Sequence, residues 1–112
     1  MDTTTINAER ALDALGDPTR RLVFKHLRAG TRSVTDIAEG LNISRPAVSQ
    51  HLKVLKTAGL ALVRIDGTRH LYAVDMRGVE AAQRWFDEFW DAALTAFKRA
   101  AEREAAKRRK RR

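Results

Sequence analysis

Cysteine is absent from this chain of 112 residues. Its absence excludes a disulfide framework, a thiolate metal site and a thiol redox switch. Long apolar runs are also missing and the first ten residues are mostly polar, so we expect neither a membrane span nor a secretory signal. The simplest compartment is therefore the cytoplasm of a bacterium or archaeon.

Patterns that would indicate an enzyme are missing too. There is no glycine-rich phosphate loop, no nucleophile beside a histidine and no carboxylate pair in an apolar setting. The three histidines, His26, His51 and His70, are not spaced as helical metal ligands. Candidates for a hard cation are four carboxylates that are more simply read as solvated: Asp75, Asp87, Glu88 and Asp91. We expect no catalysis, no cofactor and no bound metal.

Positive charge is what the chain has in excess, with 22 basic against 14 acidic residues. Residues 107–112 are all basic, whereas residues 1–106 carry a net charge of only +2. A block of like charges repels itself, which predicts disorder. Such a tail would attract nucleic acid without regard to sequence, or would only keep the chain soluble. The sequence thus predicts one domain over residues 1–106 and a disordered basic tail over 107–112.

The stretch Ser33–Leu60 has the pattern of two short helices joined by a tight turn. Ser33 begins a Ser-x-x-acid start that resembles a capping box. Apolar residues then follow at helical spacing: Val34, Ile37, Ala38 and Leu41. The next three residues, Asn42–Ser44, are long enough only for a turn.

The second helix of this pair is predicted to leave one polar face free. Ser44 is a good N-cap, Pro46 fits the first turn, and Gly59 suits the end of the helix. Its predicted buried stripe is Val48, Leu52 and Leu55. The polar residues off that stripe are Arg45, Ser49, Gln50, Lys53 and Lys56. Arginine, serine and glutamine can bond base edges and lysine suits phosphates, although a solvated face has the same composition.

A predicted β-hairpin follows the second helix. Residues 60–65 and 69–74 are short and rich in β-branched or alternating residues, and Asp66-Gly67 is a turn pair that Thr68 can extend. The cationic residues near its tip are Arg64, Arg69 and His70. A basic hairpin beside a recognition helix can reach a phosphate or the minor groove, and the alternative is a solvated turn.

Three further helices are predicted outside this motif. One runs from Ile6 to Leu15 and ends at Gly16. A second opens at Asp17-Pro18 and continues through Arg28, with its inward residues Leu22, Val23 and Leu27. The third is long, from about Arg77 to Lys107, because it lacks proline and has no glycine after Gly78.

An unusually wide apolar band follows this long helix, with both tryptophans and three of the four phenylalanines of the chain. Such an excess favours a subunit interface, with a larger intramolecular core or an apolar ligand pocket as alternatives. A two-fold dimer would also suit a pseudo-palindromic DNA site. The predicted dimer interface combines the first and last helices: Ala8, Leu12, Leu15, Val79, Trp85, Phe86, Phe89, Trp90, Ala93 and Phe97.

Three motifs together resemble the ArsR-type repressors. They are the Ala-Leu-Gly-Asp-Pro-Thr-Arg-Arg opening at 14–21, the recognition helix at 44–60 and the wing Gly-Thr-Arg-x-x-Tyr at 67–72. The aromatic segment 85–90 is similar to the branch that includes small autorepressors such as SdpR. The resemblance covers about residues 8–95 and implies a mainly α winged helix-turn-helix of about five helices plus a small β-hairpin. It also implies a homodimer that binds an inverted repeat in a promoter and blocks transcription.

Roles for individual residues follow from the same resemblance. The implied base-reading positions are Arg45, Pro46, Ser49 and Gln50. The implied phosphate contacts are Ser33, Thr35, Lys53, Arg64 and Arg69, and Ser44 completes the predicted DNA surface. His51 is expected to pack or bond locally. Many relatives sense metals through a Cys-x-Cys pair or through His and Asp in the last helix, but the matching segment Thr35–Glu39 has no cysteine and the last helix no histidine.

The sequence therefore predicts a sequence-specific, homodimeric repressor that does not respond to metal. One alternative is a ligand-responsive sensor with an apolar pocket among Trp85, Phe86, Phe89 and Trp90. The other is a protein that binds nucleic acid without sequence preference, driven by the basic tail.

Overall fold

A computed structural model describes residues 6–111. The elements in this range are α1 (Ala8–Ala14), α2 (Pro18–His26), β1 (Arg32–Ser33), α3 (Val34–Leu41), α4 (Arg45–Thr57), β2 (Ala61–Asp66), β3 (Arg69–Val74) and α5 (Met76–Lys110). The predicted architecture of five helices with a small wing is confirmed. The chain divides into two compact units between residues 82 and 83.

The core of the first unit lies where α2, α3 and α4 pack together against the start of the sheet. Its largest fully buried side chains are Val23, Leu27, Ile37, Val48, Leu52, Leu55 and Leu60. The predicted stripes of α3 and α4 are therefore confirmed. Leu22, predicted to point inward, is instead 47% exposed, because its neighbour Val23 takes the inward position on α2.

Side-chain caps fix where the first four helices begin. Asp17 accepts a hydrogen bond from the Arg20 N–H at 2.9 Å, and Asn7 accepts one from the Arg10 N–H at 2.9 Å. Because Asn7 is the cap, α1 begins at Ala8 and not at Ile6 as predicted. It also ends one residue earlier, since Leu15 is the C-cap.

The sheet has three antiparallel strands in the order β1-β3-β2. Strand β1 was not predicted, because two residues are too few to show an alternating pattern. The two-residue hairpin loop is Gly67-Thr68 and not the predicted Asp66-Gly67, since Asp66 pairs with Arg69 in the ladder. This loop needs a positive φ at its first position, which Gly67 supplies at +63°.

Backbone contacts join the first turn of α5 to the loop that ends α4. The Gly78 N–H donates to the Gly59 oxygen at 2.9 Å, and the Asp75 N–H donates to the Leu60 oxygen at 2.9 Å. Gly78 has no space for a side chain, because a Cβ there would collide with the Gly59 carbonyl group, and Gly59 itself has a positive φ of 77°. Two main-chain hydrogen bonds therefore join the end of the recognition helix to the start of α5, and Val79 and Ala82 of α5 also pack against the core.

The carboxylate of Asp75 stabilises the first turn of α5. It is 4% exposed, accepts from the Arg77 N–H at 3.0 Å, and pairs with the Arg77 guanidinium at 2.8 Å. These bonds with Arg77 lower the pKa of Asp75, and burial opposes them only in part. Asp75, considered above for a hard cation, thus has a structural partner of opposite charge.

Helix α5 continues to Lys110, whereas a disordered tail was predicted from residue 107. No proline or glycine interrupts it after Gly78, and alanine, arginine, lysine and glutamate are all strong helix formers. Cations in the last turn are also stabilised by the negative end of the helix dipole. The predicted boundary at residue 106 therefore lies inside a helix. The last residue, 112, falls outside the described range.

Candidate nucleic-acid interface

A left-handed residue makes the turn between α3 and α4 tight. Asn42 has φ 55° and ψ 44°, a conformation that asparagine tolerates better than most residues with a side chain. The next N–H, that of Ile43, donates to the Ala38 oxygen at 3.2 Å, and Ser44 then caps α4. Two helices joined in this way form a helix-turn-helix, with α4 in the place of the recognition helix.

The outward face of α4 is mostly polar. Its exposed polar residues are Arg45, Ser49, Gln50, Lys53, Lys56 and Thr57, and its exposed apolar residues are Pro46 and Val54. Within residues 6–111, no hydrogen bond or ion pair occupies the side chain of Arg45, Gln50 or Lys53. Because Val48, Leu52 and Leu55 on the opposite side of α4 are buried in the core, the polar side of the helix must point to solvent. Its donors are free for a partner.

The predicted DNA contacts at the starts of α3 and α4 differ in their exposure and in their hydrogen bonds. Thr35 is exposed. Ser44 is exposed as well, but its hydroxyl oxygen accepts from the Ala47 N–H at 3.2 Å. Ser33 is only 7% exposed, and its hydroxyl oxygen accepts from the Asp36 N–H at 3.1 Å. The predicted phosphate contact by the Ser33 side chain is therefore not available, because that side chain is a buried cap.

The strand register separates the predicted cations of the wing onto two faces. Arg64 pairs with Leu71 and Asp66 with Arg69, so both arginines lie on the same face of the hairpin. His70 lies on the other face, opposite Ile65. Both arginines are exposed. The wing thus presents a pair of cations beside a single carboxylate, and His70 is not part of that pair.

Two arginines for which no DNA contact was predicted lie near the same face of α4. Arg10 of α1 and Arg20 of α2 line a groove of about 740 Å³ together with Gln50 and Lys53. The Arg20 guanidinium donates to the Ala14 oxygen at 3.1 Å, which holds it at the α1–α2 corner. Only the packing of α1 against α4 creates this groove, so no local pattern could have revealed it.

The carboxyl group of Asp17, at the start of α2, has a lowered pKa. The hydrogen bond from the Arg20 N–H is the main cause of the lowered pKa of Asp17, and the nearby Arg20 and His51 side chains lower that pKa further. His51 is partly buried on α4 and lies close enough to Asp17 to act in this way.

Metal donors are dispersed over the described part of the chain. His26 lies in α2, His51 in α4 and His70 in β3. Between residues 6 and 111, no group of three or more His, Cys, Asp or Glu side chains comes together in a way that could hold an ion.

In the second unit, the aromatic residues of α5 lie on the surface of the chain. Phe97, Trp90 and Phe89 are 71%, 65% and 62% exposed. Trp85 stacks on Phe89 with ring centroids 5.7 Å apart and meets Phe86 edge-on at 5.2 Å. Exposed apolar patches of this kind mark interaction surfaces.

No helix between residues 6 and 111 has the length and apolar character to span a bilayer.

Comparison with known proteins agrees with this geometry. The family described as bacterial regulatory protein, arsR family, matches residues 17–62. The chain is 48% identical to the HTH-type transcriptional regulator Rv2034 of Mycobacterium tuberculosis over 89 residues, which are 80% of this chain and 83% of that protein. The chain belongs to the ArsR family. As a member of it, this protein is a DNA-binding transcriptional regulator.

The chain is also similar to a curated repressor and to a solved homodimeric DNA-binding domain. The transcriptional repressor SdpR of Bacillus subtilis is 34% identical over 76 residues, which are 68% of this chain and 84% of SdpR. The homodimeric winged helix-turn-helix DNA-binding domain Mb0332 of Mycobacterium bovis superimposes with a TM-score of 0.58 at 29% identity. That match covers 76% of each chain.

Proposed function

We propose that this ArsR-family protein is a homodimeric repressor that recognises an inverted repeat in a promoter. The observation that carries the proposal is the free polar face of α4, which follows a tight turn and precedes a basic wing. In this arrangement Arg45, Pro46, Ser49 and Gln50 read base edges in the major groove.

Phosphate contacts hold the recognition helix in register. Lys53 on α4, Thr35 at the start of α3, and Arg64 and Arg69 on one face of the wing are all exposed. Each supplies a donor to a phosphate oxygen, which fixes position without reading sequence. Ser44, at the N-terminus of α4, completes the proposed DNA surface.

Dimerisation uses α1 and α5. The exposed aromatic residues of α5 are too many for the surface of a monomer that stays alone, and SdpR and Mb0332 are described as a repressor and as a homodimer. The proposed interface contains Ala8, Leu12, Leu15, Val79, Trp85, Phe86, Phe89, Trp90, Ala93 and Phe97. Two copies then present two α4 helices to half-sites about one helical turn apart.

Metal does not control this repressor in our proposal. The chain has no cysteine and its last helix no histidine, so the softer metals lack their usual donors. The cytoplasm is the compartment in which it acts.

A footprint on the DNA upstream of the gene for this protein tests the proposal. It is run at physiological salt with random competitor DNA, with and without a chelator. The expected result is one discrete, two-fold-symmetric protected region that the chelator does not change. Diffuse protection would contradict sequence-specific recognition, and a footprint lost with the chelator would contradict metal independence.

A further inference from the structure

Almost all of the net positive charge of this protein lies at the end of α5. Residues 98–112, here called the basic arm, contain nine basic and two acidic residues, a net charge of +7. Residues 1–97 have a net charge of only +1. Every basic side chain between Lys98 and Arg111 is exposed. Neither Glu102 nor Glu104 forms an ion pair with an arm cation within the described range.

The arm is not built to pack against protein. The apolar band of α5 ends at Phe97, and beyond it no apolar residue larger than alanine is present. The cations are nevertheless ordered along a helix, because α5 continues to Lys110. A face that lacks bulky apolar residues and holds a high density of one charge is suited to a polyanion.

The net charge along the arm is about half of the phosphate charge along the same length of duplex DNA. A helix rises about 1.5 Å per residue, so Lys98–Lys110 spans roughly 20 Å. Duplex DNA carries one negative charge per about 1.7 Å of its axis, or about a dozen phosphates over that length. The arm therefore offers roughly one net positive charge for every two phosphates that lie alongside it.

We propose that the basic arm is a second DNA contact that binds the phosphate backbone without reading sequence. The proposal rests on the proposed function, because α4 is what brings duplex DNA to this protein. Single-stranded RNA is less suited, since the arm has no aromatic side chain for base stacking. An anionic membrane is less suited too, since an interfacial helix needs bulky apolar residues along one face.

The salt dependence of binding tests the arm directly. Fluorescence anisotropy measures the affinity of the full chain for a footprinted duplex and for a scrambled duplex between about 50 and 200 mM salt. One variant replaces four arm cations with glutamine, a helix former of similar propensity: Lys107→Gln, Arg108→Gln, Arg109→Gln and Lys110→Gln. The matched control changes charge in the opposite direction, by Glu102→Gln and Glu104→Gln.

The four-cation variant is expected to flatten the plot of log affinity against log salt by about 2–4 units per protomer. It weakens binding to both duplexes by the same factor, so the preference for the footprinted site is unchanged. The Glu102→Gln, Glu104→Gln protein steepens the plot and binds both duplexes more tightly. Helical content by circular dichroism and the oligomeric state stay as in the parent chain.

An unchanged salt slope in either variant would overturn the proposal. So would tighter arm-dependent binding to single-stranded RNA or to vesicles of phosphatidylserine than to duplex DNA. Failure of the proposed function would give a different result. The parent chain would then bind the footprinted and scrambled duplexes equally, while replacing the arm cations would still flatten the plot of log affinity against log salt.

Discussion

Replacing Gly78 by alanine tests how α5 is joined to the recognition helix. A Cβ at residue 78 would lie 2.8 Å from the Gly59 carbonyl carbon, 3.0 Å from the Leu60 Cδ2 atom and closer still to the Gly59 oxygen. The obstacle is mostly main chain, so it cannot turn aside as the end of a side chain can. The first turn of α5 and the loop after α4 must therefore move apart.

The size of the effect follows from two opposing contributions. Alanine in place of glycine inside a helix stabilises by about 1 kcal/mol. Overpacking against a fixed neighbour costs about 1–3 kcal/mol, and weakening the hydrogen bond from the Gly78 N–H to the Gly59 oxygen costs about another 1 kcal/mol. The variant should thus lose roughly 1–3 kcal/mol of the free energy of unfolding, and its Tm should fall by about 5–15 °C.

Gly40→Ala is the matched control, because Gly40 also lies inside a helix. The nearest atom to its added Cβ is the Cε1 atom of His26 at 2.7 Å, which is the far end of a flexible side chain. Its Tm should change by less than about 3 °C in either direction. Thermal unfolding is followed by circular dichroism at one protein concentration, since dimerisation also contributes to stability. A Gly78→Ala protein as stable as Gly40→Ala would refute the reasoning.

Three further changes have defined outcomes. Arg45→Ala should weaken binding to the operator by about 1–3 kcal/mol and hardly affect random DNA, and an equal loss on both would make Arg45 a phosphate contact. Trp90→Ala should weaken the dimer by about 2 kcal/mol or more in sedimentation, and a dimer of unchanged affinity would exclude Trp90 from the interface. Asp75→Asn should lower Tm at neutral pH. Because Arg77 lowers the folded-state pKa of Asp75, the stabilisation by Asp75 is present above about pH 4 and lost in acid. A difference in Tm between the parent chain and Asp75→Asn that does not change with pH would contradict this role of Asp75.

The parts of the fold that local patterns predict well are the helices with a regular apolar stripe and a cap. Val48, Leu52 and Leu55 repeat at helical spacing after the cap residue Ser44, and all three are completely buried. Such a signal lies within about a dozen neighbouring residues, so no knowledge of the rest of the chain is needed.

Features that depend on distant partners could not be predicted in this way. Strand β1 exists only because Arg32 and Ser33 pair with β3 about forty residues later. The same pairing, with the capping bond to Asp36, buries Ser33 and removes it from the predicted DNA surface. The observed hairpin loop lies one residue after the predicted one, because the pairing of β2 with β3 continues to Asp66 and Arg69.

The basic end of α5 shows a conflict between two local rules. Repulsion among six consecutive cations predicts disorder, whereas helix propensity and the helix dipole favour continuation of the helix. The structure follows the second rule as far as Lys110. A solvated helix end separates its cations on different sides of the axis, which reduces the repulsion that the sequence pattern suggests.

Selection of bound duplexes from a random DNA library tests the central claim most directly. The purified full chain is used at physiological salt, and the enriched sequences are aligned. The account predicts one inverted repeat with half-sites about one helical turn apart, bound by a dimer. Enrichment of no sequence, or of a single unrepeated half-site, would contradict a dimeric repressor that reads DNA through α4.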